Sequence, residues 1–443
     1  MIPQTAAQAS IQAILDGFAQ RSLKEIVLGL ERITQALERL GNPHEKLPPV
    51  IHVAGTNGKG STCAYISSIL RESGLRVHGF TSPHLVKFNE RIVLGGQQIS
   101  DDYLADVLGR CESAAGDLPL SYFEAVTAAA FLAFAETPGD VVVLETGLGG
   151  RLDATNVIDQ PRAAVITPIA FDHQSWLGET LPEIAYEKAG ILKPGAAFVT
   201  GPQRADALEV LKSRALAIGA EPHVHNEDWT ARQESGRLVY EDESGLYDLS
   251  LPRLAGNHQI ENAALAVATV MASGFGGDQQ AISKGLEDAR WPARMQRLVE
   301  GPLVHLVEKH TGDPGEVWLD GGHNPHAAQA LARTLADLEE RSPKPVIMIT
   351  GMQANKDAAG FFEPFEDLVS AVFTVEVEGG KPYDAETLAG IAQRAGLPAE
   401  AKDSVTEALE QAMRDTGRSG EGMPRILICG SLYLAGHILE NHA

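Results

Sequence analysis

"HVAGTNGKGSTCAY", residues 52–65, is the stretch on which the reading of the whole chain turns. It looks like a phosphate-binding loop but fails the familiar spacing G-x-x-x-x-G-K-[ST]. Gly58-Lys59 is followed by Gly60, so Ser61 and Thr62 come one position late, and Val53 stands where the first glycine belongs. The surroundings are nevertheless right. "PPVIHVAG" is a short apolar strand, and "STCAYISSILRESG" is a helix closed by Gly74. Strand, glycine loop and helix in that order form the setting in which backbone amides face an anion. Gly55, Gly58 and Gly60 let the backbone approach closely, Lys59 supplies a charge for outer phosphates, and Ser61 or Thr62 offers a hydroxyl near a metal. A plain glycine turn is the bland alternative, and the lysine, the hydroxyls and the strand together outweigh it.

Further strands follow the same pattern. "DVVVLE" (140–145) closes on Glu145 beside a second glycine loop, "TGLGGRLDATN". "AAVITPIAFDH" (163–173) reads as a strand that ends on Asp172-His173. An acid at such a strand end suits Mg²⁺ in a nucleotide-binding sheet, although a solvated strand-end acid would look the same. His173, taken alone, reads equally well as a structural hydrogen-bonder. Residues 8–40 have helical spacing, and strands separated by helical stretches imply a parallel α/β sheet with its ligand at the carboxyl ends. "EDARWPARMQRL" (287–298) breaks the pattern at Trp291-Pro292 and reads as a hinge. After it come "VWLD", a helix from about Ala327, "VIMITG", "AVFTVEV", two helical stretches and "RILICG". The expectation is a P-loop-type parallel-sheet domain over 1–292 and a smaller Rossmann-like α/β domain over 293–443.

Composition narrows the function. The 443 residues are too many for one ordinary core. With 36 basic against 59 acidic residues the net charge is −23, which disfavours nucleic acid and anionic membrane as partners. An anionic substrate must then be gathered by local basic groups, loop amides or metal ions. The three cysteines, Cys63, Cys111 and Cys429, lack paired spacing, so neither disulfides nor a zinc site is expected. No basic residue precedes Arg21, no apolar signal core is visible, and the apolar run "AVTAAAFLAFA" (125–135) is too short to span a bilayer. A soluble, cytoplasmic protein is expected.

The motifs "GTNGKGST", "SPHLVKFNERI", "SYFEA", "VVLETGLGGRLDATN", "FDHQSWLGETLPEIAYEKAGILKPG", "GNHQIENAALAV", "WPARMQ", "LDGGHNPHA" and "CGSLYLAG" occur in that order, from about Leu28 to Tyr433. Together they closely resemble the folylpolyglutamate synthase/dihydrofolate synthase family of the Mur ligase superfamily. That superfamily sets its lysine between two glycines, which explains the failed spacing. The resemblance implies ATP in a cleft between two domains and L-glutamate joined to dihydropteroate or a reduced folate through an acyl phosphate. It implies nucleotide contacts from Gly55, Thr56, Asn57, Gly58, Lys59, Gly60 and Ser61, and from Asn262, Arg294, Asp320 and His323. Two Mg²⁺ sites would draw on Ser61, Ser82, Glu145 and His173. The acceptor substrate would lie near Ser121, Tyr122, Phe123 and Glu124 and near Leu152, Asp153 and Ala154. Lys59, Lys188, His173 and Arg294 would carry the chemistry, in a monomer acting on small molecules alone. Three places depart from the family pattern: Gly322 replaces a usual alanine, Ala354-Asn355 precedes Lys356-Asp357, and "AQRSLKEI" does not match the pterin-contacting segment.

Lys188 lies in "TLPEIAYEKAGILKPG", where Thr180 and Glu183 form a capping-box pattern and Gly190 reads as a helix stop. Four residues after Ile184, it shares that residue's inward face. A lysine in a last turn is ordinarily solvated at its tip. The resemblance implies instead that its amine captures CO₂ and becomes a carbamate. Two other functions fit parts of the chain. A peptidoglycan ligase of the same superfamily would need more than the roughly 50 residues ahead of the loop for a UDP-binding domain. A non-catalytic nucleotide switch would have no use for Glu145, His173, Lys188 and Arg294 together.

Overall fold

A computed structural model describes residues 5–21, 28–419 and 423–442. Of the departing segment "AQRSLKEI", residues 22–26 lie outside them. The chain forms two compact units, one within Met1–Arg253 and Ile260–Ala289, the other comprising Leu254–Gln259 and Arg290–Ala443. The short piece Leu254–Gln259 belongs by its contacts to the second unit, although the helix Asn257–Ala272 continues from it into the first.

The first unit is built on eight strands: β1 Val50–Ala54, β2 Val77–Phe80, β3 Ile92–Leu94, β4 Gln97–Gln98, β5 Val141–Glu145, β6 Ala163–Ile166, β7 Ala197–Thr200 and β8 Glu221–Val224. Their order is β4-β3-β2-β5-β1-β6-β7-β8. The six from β2 to β8 run parallel, and β3 and β4 close one edge antiparallel. β1 and β5 are buried along their whole length, which is why they read as near-continuous apolar runs, interrupted by His52 in β1 and closed by Glu145 in β5, rather than as alternating ones. Ile33, Leu37, Leu104, Leu108, Phe131 and Phe134 pack with Val142 and Leu144 in one core on this sheet. Because β1 lies between β5 and β6, the segments leaving their carboxyl ends are neighbours, and that edge is where a parallel sheet of this kind is expected to bind its ligand.

β6 is shorter than the sequence led us to expect. It ends at Ile166, so His173 does not sit at a strand end equivalent to Glu145. Pro168 has no amide to continue a ladder, and its carbonyl is engaged by the amides of Thr56 and Asn57. A three-stranded antiparallel sheet was not anticipated either: β9 Trp229–Glu234, β10 Arg237–Asp242 and β11 Gly245–Ser250. Its first turn is Ser235-Gly236, with φ of 50° and 77°, a pair suited to a two-residue hairpin.

In the second unit β12 Gln296–Leu298, β13 Glu316–Leu319, β14 Val346–Thr350, β15 Ala371–Thr374, β16 Ala399–Ala401 and β17 Arg425–Cys429 form a sheet ordered β12-β13-β17-β14-β15-β16. All but β12 are parallel. β12, β16 and the helix Pro302–Thr311 were not foreseen from sequence. The three cysteines are free and buried. Among the described residues no helix is long and apolar enough to cross a membrane.

Candidate active site

The phosphate loop leaves β1 at Gly55 and enters the helix Lys59–Glu72. Gly55 and Gly58 have φ of 149° and 85°. A Cβ at Gly55 would collide with Thr167, backbone included, so glycine is required there by conformation and by space; at Gly58 the positive φ favours glycine, and a Cβ would also displace the Asn262 amide. Thr56 stitches the loop to the segment after β6: its hydroxyl donates to the Ala170 carbonyl at 3.0 Å and accepts from the Ala170 amide at 3.1 Å. In the first turn of the helix the hydroxyls of Ser61 and Thr62 are buried without a hydrogen-bond partner. A buried, unsatisfied hydroxyl costs about 1–3 kcal/mol, which a phosphate oxygen or a metal ion would relieve. The residues present therefore fit a bound nucleotide with its cation.

Two lysines meet on one carbonyl. Lys59 Nζ donates to Gly55 O at 3.3 Å and to Thr56 O at 3.2 Å. Lys188 Nζ donates to the same Gly55 O at 2.7 Å. The Thr180–Glu183 capping box is present and starts the helix Leu181–Lys188, with Ile184 and Lys188 both buried. Lys188 is only 3% exposed, so a tip in solvent is ruled out. Burial, reinforced by the Lys59 charge, lowers its pKa to about 7, against partial opposition from Asp172 and Asp153. Gly190 is not a left-handed helix stop. It lies inside the short 3₁₀ turn Ala189–Ile191, and glycine is needed there because a side chain would strike the Arg151 backbone.

Glu145 is 3% exposed, which removes the reading of a solvated strand-end acid. Its Oε2 accepts from the Ser82 amide at 3.1 Å, joining two of the expected metal donors across neighbouring strand ends. His173 sits on the exposed turn after β6 with φ of 54° and hydrogen-bonds through its amide to the Asp172 carboxylate at 2.8 Å. Among the described residues no three His, Cys, Asp or Glu cluster closely enough to hold a metal by themselves. The expected donor set is accordingly one of mixed hydroxyl, carboxylate and imidazole groups.

Fold and site share the expected acceptor residues. Ser121 caps the helix Tyr122–Glu136, and Glu124 completes the capping box while pairing with Arg32 at 3.0 Å. Tyr122 meets the edge of Phe88 at 6.2 Å, and Phe123 lies 5.9 Å from Phe80. Arg91, buried and bonded to His84 Nδ1 at 2.8 Å, lies over both Phe88 and Tyr122. This aromatic–guanidinium group was missed from sequence although its motif, "SPHLVKFNERI", stood out. Ala154 is buried and Leu152 half-buried, while the Asp153 carboxylate accepts from the amides of Gly147, Leu148 and Thr155.

The second unit holds Arg294, Asp320 and His323. Asp320 is buried and accepts from the amides of Met295 at 2.7 Å and Gly322 at 2.6 Å. Burial raises its pKa, and the Arg294 charge opposes the rise. Arg294 donates to the Ala293 carbonyl at 2.8 Å, and the His323 ring contacts the Gly321 carbonyl at 2.9 Å. A methyl at Gly322 would meet Asp320, Leu331 and Ala327 at 3.0 to 3.2 Å. Glycine at that position therefore relieves crowding.

Comparison with known proteins agrees with this architecture. Residues 53–270 match the Mur ligase middle domain, and residues 303–441 match the dihydrofolate synthetase C-terminal domain. The dihydrofolate synthase/folylpolyglutamate synthase of Escherichia coli is 35% identical over 418 residues, 94% of this chain and 92% of that protein. The structure of E. coli FolC in complex with DHPP and ADP superimposes with a TM-score of 0.86 at 33% identity, covering 99% of this chain and 98% of that one. The Yersinia pestis bifunctional folylpolyglutamate synthase/dihydrofolate synthase complexed with AMPPNP and a Mn ion gives 0.84 at 32% identity, covering 99% of both chains. The chain belongs to the dihydrofolate synthase/folylpolyglutamate synthase family of ATP-dependent ligases.

Proposed function

We propose that this chain joins L-glutamate to the carboxylate of dihydropteroate and of reduced folates at the expense of ATP. The acceptor carboxylate attacks the γ-phosphorus, the bond to ADP breaks, and an acyl phosphate forms. The glutamate amine then attacks the acyl carbon, loses a proton and expels inorganic phosphate. Lys59 and the amides of the 55–60 loop hold the phosphates of ATP. Asn262, Arg294, Asp320 and His323 bind the rest of the nucleotide. Ser61, Ser82, Glu145 and His173 would hold Mg²⁺, which when bound would supply charge stabilisation for the transferring phosphoryl group. Tyr122 and Phe123 offer apolar surface to the pterin end of the acceptor, and the segments Ser121–Glu124 and Leu152–Ala154 bound it.

One observation carries the reading: Lys188, from a distant helix, is buried with its Nζ on the phosphate-loop carbonyl of Gly55. A second cation beside Lys59 has no structural need at that point, whereas a lysine of lowered pKa has a chemical use. As the free amine it would combine with CO₂, forming an N–C bond and releasing one proton, and become a carbamate anion beside the phosphate-loop carbonyl of Gly55. The protein works as a cytoplasmic monomer on small molecules, without nucleic acid or membrane. The net charge of −23 supports the last of these, the absence of nucleic-acid and anionic-membrane partners, because such a surface repels polyanions.

The test is phosphate release with ATP, Mg²⁺ and L-glutamate, comparing dihydropteroate with tetrahydrofolate as acceptor. Glutamate-dependent release with both is expected. Release with one alone would assign a single activity, and release with neither would remove the ligase reading.

A further inference from the structure

Three residues before the phosphate loop, the fully buried strand β1 carries a histidine. His52 is 0% exposed, and apolar Ile51 and Val53 flank it. Its Nε2 lies 2.8 Å from Thr155 Oγ1, and that hydroxyl donates to Asp153 Oδ1 at 2.5 Å. A hydroxyl has a single proton. Since Thr155 gives its proton to the carboxylate, it must accept from His52, so the imidazole is protonated at Nε2. Its Nδ1 is buried with no partner. On the far side, Asp153 Oδ2 accepts from the amides of Gly147 at 3.0 Å and Leu148 at 2.8 Å. Those amides lie two and three residues beyond Glu145.

An ordinary core position on a central strand would hold an apolar side chain at lower cost. Here a buried, half-satisfied imidazole is kept, and every group it orders leads to the turn between Glu145 and Thr155. Thr155 is 0% exposed and Asp153 4% exposed, so solvent cannot replace either bond.

We propose that His52 is a positioning residue for the acceptor substrate: acting through Thr155, it fixes the Asp153 carboxylate and so sets the 146–155 turn against which that substrate binds. This rests on the reading that the Leu152–Ala154 segment contacts the acceptor. The relay begins on the strand that feeds the phosphate loop and ends on the turn that follows Glu145, yet its effect falls on the acceptor. The turn hangs from Asp153, whereas the phosphate loop is held separately by Thr56, Pro168 and Ala170.

Thr155→Val removes the hydroxyl at nearly constant volume. It should raise the KM for the acceptor roughly tenfold while leaving the KM for ATP within about twofold. Thr155→Ser should restore the acceptor KM. His52→Gln, which keeps an N–H donor at the end of the side chain, should lie nearer wild type than His52→Leu. An unchanged acceptor KM in Thr155→Val would overturn the proposal. So would an equal rise in both KM values that serine does not repair, since that is what a merely structural role produces. Two readouts do not depend on turnover. Nitrogen NMR of labelled histidine should show His52 protonated at Nε2 and bare at Nδ1 from about pH 5 to 8; the opposite tautomer reverses the relay and sinks it. Hydrogen exchange at Gly147 and Leu148 should quicken in Thr155→Val, and an unchanged rate would contradict the relay. If wild type turned over neither dihydropteroate nor tetrahydrofolate, the acceptor reading would fall, and exchange at these amides would still decide the relay.

Discussion

Replacing Lys188 by methionine keeps most of the side-chain volume and removes the titrating amine, so it isolates what the buried nitrogen does. The pKa of Lys188 falls from 10.5 to about 7 on folding. At pH 7 the unfolded chain binds the proton almost fully and the folded chain in about half of the molecules. By pH 9 the folded chain has released it and the unfolded chain still holds it. The unfolded state binds more protons across this window, so stability rises with pH. A full proton's difference is worth about 1.4 kcal/mol for each pH step of one, and the wild type should gain about 2 kcal/mol between pH 7 and pH 9 from this group alone. Lys188→Met lacks that gain. Urea unfolding of both proteins in CO₂-free buffer, at matched pH values, measures the difference. Methionine should be the more favourable residue at pH 7, and its advantage should shrink by about 2 kcal/mol by pH 9. A stability difference that stays constant with pH would show that the Lys188 amine is not deprotonated on folding. The lowered pKa also leaves about 10³-fold more free amine at neutral pH than an exposed lysine has. Activity should therefore fall in CO₂-depleted buffer and recover with bicarbonate. Lys188→Ala should lose most turnover, still bind ATP, and regain part of its rate with short carboxylates. Full activity in that variant would exclude the carbamate.

Other expectations follow from the same geometry. Lys59→Ala should lower kcat by roughly 10²–10³ with circular dichroism unchanged, as loss of a charge-stabilising contact does; near-normal turnover would return the loop to a plain glycine turn. Gly58→Ala must adopt φ of 85° and push its methyl into Asn262. Calorimetry with a non-hydrolysable ATP analogue should show affinity lost by at least about tenfold. The pKa of His52 falls to about 3 through burial and the Lys193 charge. Its contribution is present above pH 6.5 and is lost at up to about 1.4 kcal/mol per pH unit as pH falls toward 3. His52→Gln should flatten that part of the stability profile.

Much of the site could be read from sequence because its signals are local. The strand–loop–helix from Val50 to Glu72 and the capping box at Thr180–Glu183 each lie within a few residues of their cause. What escaped depends on distance along the chain. His52 and Thr155 are 103 positions apart, and Lys188 reaches Gly55 across 133, so neither bond leaves a mark in any short window. His173 was misplaced because "AAVITPIA" stays apolar beyond Ile166. The strand stops there because Pro168 and the phosphate loop claim the backbone, which apolar patterning cannot reveal. The β9–β11 sheet was overlooked for a different reason. Its alternation is weak on a half-exposed surface, and the Ser235-Gly236 turn was the one strong local signal.

In the proposed reaction the acceptor carboxylate is activated by phosphorylation, and the fate of its oxygen reports whether that happens. With ¹⁸O in the dihydropteroate carboxylate, ATP, Mg²⁺ and L-glutamate, one labelled oxygen should appear in inorganic phosphate for each amide formed, with ADP as the nucleotide product. Unlabelled phosphate, or AMP with pyrophosphate, would contradict it.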